Sequence, residues 1–118
     1  MLKAGASRFV AYRESGMREA NTGPSIYVNG HELGKLYPKT CVEVSLEPGD
    51  YEVKSQGNFF NWPGPPKFMR VNLQINTTRF VELVVFDDRP EIVNHAYAER
   101  TEVEARKALT EIGECTKK

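Results

Sequence analysis

Histidine, cysteine, serine and paired carboxylates are the side chains that could do chemistry here, and the chain offers few of them. Its two histidines, His31 and His95, lie far apart in sequence. With only scattered carboxylates beside them they fall short of the three or four ligands of a zinc site, so no metal is expected. Cys41 and Cys115 match no zinc spacing and are too few for a disulfide framework. They read as two independent thiols, and Cys41 has no visible activating base. No serine stands beside a histidine in a recognisable motif, and neither G-x-x-x-x-G-K-[ST] nor G-x-G-x-x-G occurs. Glu43, Glu52 and Glu82 sit on strand faces, where carboxylates pair with Lys or Arg. Asp87, Asp88 and Glu91, with Arg89 among them, read as a solvated turn rather than a calcium loop. Asn76-Thr77-Thr78 matches the glycosylation sequon but reads as a turn between strands. No cofactor and no catalytic residue is expected, and the chain reads as a non-enzyme.

Recognition is the chemistry that remains. Residues 56–66, QGNFFNWPGPP, place Phe59, Phe60 and Trp62 in a stretch of Gly, Pro and Asn. Such a loop folds back as a lid over the core or stays outward as a binding surface, where aromatics supply much of the energy. Phe59, Phe60 and Trp62 are therefore the candidate binding residues. Few cations flank them (Lys54, Lys67 and Arg70), and sixteen basic residues balance sixteen acidic ones, so nucleic acid is not the expected partner.

These side chains need a scaffold. At 118 residues and 40% hydrophobic, the chain suits one core, and residues 1–118 are expected to form one domain. No apolar run approaches the roughly 20 residues of a membrane-crossing helix. Residues 1–6 carry no signal sequence, so the chain is either cytoplasmic or the mature part of an exported protein.

Period-two alternation dominates and predicts strands. Residues 8–13 (RFVAYR) form the first. Residues 26–28 lead into Asn29-Gly30, a strong hairpin signal because both types tolerate positive φ, and 33–37 return. In TCVEVSL (40–46), Val42, Val44 and Leu46 share one face, opposite Cys41, Glu43 and Ser45. Glu47-Pro48-Gly49-Asp50 turns the chain into a strand with Tyr51 and Val53 inward. Met69, Val71, Leu73 and Ile75 share the next inward face. FVELVVF (80–86) is apolar on both faces apart from Glu82, so it should be central or covered twice; Asp87 to Pro90 ends it, and 92–98 follow. Thr101 and Glu104 then form a capping box. Ala105, Ala108, Leu109 and Ile112 make one apolar stripe, Glu102 and Arg106 an i,i+4 pair, and Gly113 a C-cap. A helix over 101–112 docked on the second face of 80–86 is expected.

The order SIYVNGHELGKL (25–36), then VEVSLEPGDYEV (42–53), resembles PEGA-type and prealbumin-like small β-sandwiches of bacterial surface proteins. With Tyr12-Arg13 in the first strand and the closing helix, it is similar to a bacterial family of small envelope lipoproteins of unknown function. The resemblance covers roughly residues 6–112, but no lipid-anchoring Cys stands near the first residue. It implies a mainly β fold, an antiparallel β-sandwich of about seven strands with one C-terminal α-helix, and a place in the cell envelope or periplasm. The expected role is a non-enzymatic binding or scaffolding module whose partner is a protein or envelope component, with strand 7–13 an edge open to a second copy. The alternatives are a carrier of a small ligand such as a lipid, a small cytoplasmic enzyme, and an accessory protein of a mobile element.

Overall fold

A computed structural model describes residues 6–14, 23–57, 65–89 and 92–117; for 86–89 and 92–94 the backbone alone is described. Two sheets face each other, with one helix on the outside among the described residues. The five-stranded sheet runs β8 (Ile92–Arg100), β7 (Thr78–Arg89), β1 (Ser7–Arg13), β4 (Thr40–Leu46), β9 (Thr116–Lys117). The four-stranded sheet runs β3 (His31–Lys35), β2 (Ser25–Val28), β5 (Gly49–Gln56), β6 (Lys67–Leu73). This is the mainly β, sandwich-like architecture that the alternation predicts.

The alternation also assigns most faces. Val42, Val44, Val53, Val71, Leu73, Val81 and Leu83 are buried between the sheets with Phe9, Ile26 and Leu33. The Asn29-Gly30 corner has positive φ at both residues, 47° and 86°, as a tight hairpin requires. Asn29 then locks to β5, its Oδ1 accepting the Glu52 N–H at 2.8 Å. The other predicted turn, after residue 46, is braced by the Tyr51 hydroxyl donating to the Glu47 carbonyl at 2.6 Å. Ile75 departs from its predicted face. It lies beyond the end of β6, is 61% exposed, and precedes the turn at Asn76.

Several expectations about strand order are corrected. β1 is not an edge. It pairs antiparallel with β4 from Ser7↔Leu46 to Arg13↔Thr40, and parallel with β7 from Arg8↔Thr78 to Tyr12↔Glu82. A β1-to-β1 contact between two copies has no free backbone to use. Among the described residues the count is nine strands rather than about seven, and two pairings, β1 with β7 and β4 with β9, are parallel. Asp87 and Asp88 do not end β7, which runs to Arg89 and pairs with β8 through a register shift between Val85 and Asp87. A bulge of this kind absorbs one residue without ending the ladder.

The helix α1 (Glu102–Ile112) forms where the capping box places it. The Thr101 hydroxyl accepts the Glu104 N–H at 3.2 Å, and the Glu104 carboxylate accepts the Thr101 N–H at 2.9 Å. Its stripe packs on the outer face of the five-stranded sheet, against Val10, Tyr12, Cys41 and Phe80. That includes the predicted second face of β7 and extends across β1 to β4. Past Gly113, whose N–H returns to the Leu109 carbonyl, the chain reaches Cys115 and pairs as β9 with Val42 and Glu43.

Candidate functional site

Cys41 and Cys115 are joined in a disulfide across 74 residues of sequence. The reading of two independent thiols is overturned. Cys41 alternates with Val42 and so points out of the sandwich, where the helix end delivers Cys115. Helix, β9 and disulfide together clasp the end of the chain onto β4.

A polar cluster lies between the sheets. The Tyr97 hydroxyl on β8 donates to Ser55 Oγ on β5 at 2.5 Å, and Ser55 Oγ meets His95 Nε2 at 2.5 Å. Tyr97 also reaches the Lys67 carbonyl at 3.3 Å, and its ring meets that of His95 edge to face. Ser55 and His95 are buried, His95 only 1% exposed. Burial, helped by the nearby Lys67 and Arg13 cations, pushes the His95 pKa down to about 4. The ring is therefore neutral near pH 7 and accepts the Ser55 proton when its own sits on Nδ1. Burial likewise drives Tyr97 up to about 12.

Serine beside histidine raises the question of a nucleophile and its base. A base with a pKa near 4 is weak at neutral pH, and Ser55 is fully buried, which gives a substrate no approach. The arrangement instead carries hydrogen bonds from one sheet to the other. Sequence reading missed it because Ser55 and His95 are 40 residues apart and each looks like an ordinary strand residue.

A second group lies on the outer face beside the helix. Glu82, predicted to be at least partly exposed, is buried and accepts from Arg100 Nε at 2.9 Å. A hydrogen bond to Glu82, then partial burial, raises the Glu14 pKa, so Glu14 holds its proton to higher pH than an ordinary carboxyl. Burial and then the Glu82 charge push Tyr12 up to about 12. Glu43 pairs with Arg8 at 3.2 Å, and the predicted Glu102–Arg106 pair forms at 3.0 Å. Of the strand carboxylates expected to pair, Glu43 and Glu82 do so with arginines. Among the described residues no three His, Cys, Asp or Glu side chains converge as metal ligands, and His31 is exposed at the start of β3.

An apolar pocket of about 340 Å³ opens beside the Asn29-Gly30 corner. Val28, Leu33, Val44, Leu46 and Tyr51 line it, with His31 and Glu32 among its polar groups. No polar anchor was predicted there because each apolar wall residue reads simply as core. Phe59, Phe60 and Trp62, and Glu91 of the acidic turn, lie outside the described residues, as do the side chains of Asp87 and Asp88. Ser55 and Lys67, which bracket the aromatic stretch, sit opposite each other in the β5–β6 ladder.

No protein-family model matches the chain, and no curated protein matches it significantly.

Proposed function

We propose that this chain is a non-enzymatic recognition module of the bacterial cell envelope, working outside the reducing cytoplasm. The observation that carries the reading is the Cys41–Cys115 disulfide. Structural disulfides persist in secreted and periplasmic compartments and are rare in cytosolic proteins. The sequence resemblance to small envelope β-sandwiches points the same way. Recognition rather than catalysis is supported by the Ser55–His95 pair, which is buried and weakly basic. The aromatic stretch with Phe59, Phe60 and Trp62 is the proposed partner surface, and its composition is what supports it.

Thiol trapping in intact source cells tests the compartment. Alkylation before lysis, followed by mass spectrometry, should return Cys41 and Cys115 as one cross-linked peptide. Two alkylated thiols in most molecules would contradict the reading.

A second reading, a carrier of a small apolar ligand, is favoured by the pocket beside Val28 and Leu33. Its volume lies at the lower end of small-molecule sites, about 300–1,000 Å³. Native mass spectrometry of protein from its source should then show a bound ligand that Leu33→Trp excludes.

A further inference from the structure

We propose that Asn29, at the β2–β3 corner, is a self-modification site, where the side-chain amide is exchanged for a carboxylate by the protein's own backbone and water.

The chain has seven asparagines, and Asn29 alone precedes a glycine; the others precede Thr, Phe, Trp, Leu or His. An asparagine amide is open to attack by the backbone nitrogen of the next residue, and a side chain on that residue obstructs the attack. Gly30 carries none. A Cβ built on Gly30 would meet nothing within 4 Å, and both corner residues are exposed. A ring that forms there, the ammonia that leaves and the water that enters all have room. Among the described residues no acceptor holds the Gly30 N–H.

The fold also prepares the carbon that is attacked. Asn29 Oδ1 accepts the Glu52 N–H at 2.8 Å, and the Asn29 N–H donates to the Glu52 carbonyl at 2.9 Å. The first bond draws electrons away from Cγ and steadies the oxyanion that develops when Cγ is attacked. The second holds Asn29 against β5 while Gly30 stays in solvent.

The steps balance with water as the one co-reactant. The Gly30 nitrogen gives its proton to solvent and bonds to Cγ. The Cγ–Nδ2 bond breaks, the nitrogen takes a proton from solvent and leaves as ammonia, and a succinimide ring remains. Water then opens the ring at either carbonyl. Opening at Cγ leaves aspartate in an unchanged backbone. Opening at the main-chain carbonyl leaves isoaspartate, whose backbone runs through Cγ and is longer by one carbon.

The two products act differently on the hairpin. An aspartate carboxylate still accepts the Glu52 N–H and keeps the corner locked. Isoaspartate lengthens a corner whose flanking residues, Val28 and His31, are directly paired, so it strains that pairing. Either product adds a negative charge to the pocket rim, where Asn29 stands with His31 and Glu32.

The test follows the intact oxidised chain in neutral buffer made with heavy-oxygen water, by peptide mass mapping over several weeks. Asn29 should convert before any other asparagine, with one heavy oxygen taken up and with both aspartate and isoaspartate formed. Gly30→Ala should slow the conversion at least tenfold. Any loosening of the corner by the added methyl group would speed the reaction, so a fall reads the attack itself. The proposal is overturned if another asparagine converts first, or if Asn29 converts only in urea-unfolded chain. Aspartate without isoaspartate would also overturn it, because direct hydrolysis passes through no ring. An unchanged rate in Gly30→Ala would do the same.

Discussion

His95 shows how a single buried side chain sets the pH response. Its folded-state pKa near 4 lies below the ordinary value near 6.5, so the unfolded chain takes up the proton first as pH falls. Stability from this residue is fully present above about 6.5 and is lost as pH falls through about 4, on the order of 3 kcal/mol in all. Urea unfolding between pH 7.5 and pH 4 should show that decline, and His95→Gln should flatten it. Tyr97 acts at the other extreme. Its raised pKa gives stability below about pH 10 that is lost as pH climbs through about 12. Tyr97→Phe should remove that alkaline loss and leave the acid limb, because it deletes a hydroxyl without deleting the ring. Trp62 is argued on composition alone. Trp62→Ala should weaken partner binding while the melting temperature holds, whereas a fall of many degrees would make the aromatic stretch a lid.

The helix is the element most fully written in local sequence. Thr101 and Glu104 specify its start and Gly113 its end, and the small residues Ala105 and Ala108 let it approach the sheet. Thr101→Ala should cost about 1 kcal/mol in denaturant unfolding, the usual loss for an N-cap. Ala108→Glu should cost more, by placing a charge against Phe80 and Val10. Strand faces were equally legible, because alternation reports which side chains share a side. Strand neighbours were not. Nothing local in RFVAYR says that β1 lies between β4 and β7, since burial on both faces looks the same in a central strand and in one covered by a helix. The acidic pair Asp87-Asp88 misled in the opposite direction, because a register shift carried β7 past residues that usually stop a strand.

Contacts between distant parts of the chain hold the whole molecule together, and they explain what sequence reading could not supply. The Ser55–His95–Tyr97 cluster ties one sheet to the other across the core. The disulfide closes a loop across 74 residues, and only the completed sandwich, with its helix in place, brings Cys115 to Cys41. Spacing along the sequence carries no trace of that meeting. Closing so long a loop restricts the unfolded chain and is worth about 2–4 kcal/mol. For a chain of this size such a loss lowers the melting temperature by roughly 10 °C. The same clasp fixes β9 on β4, where it pairs with Val42 and Glu43. Denaturant unfolding of the purified protein with and without dithiothreitol tests this covalent closure most directly. The expected result is a stability loss of about 2–4 kcal/mol on reduction, with the sheet signal retained and two thiols newly titratable. Superimposable unfolding curves, with two thiols already free before reductant is added, would contradict it.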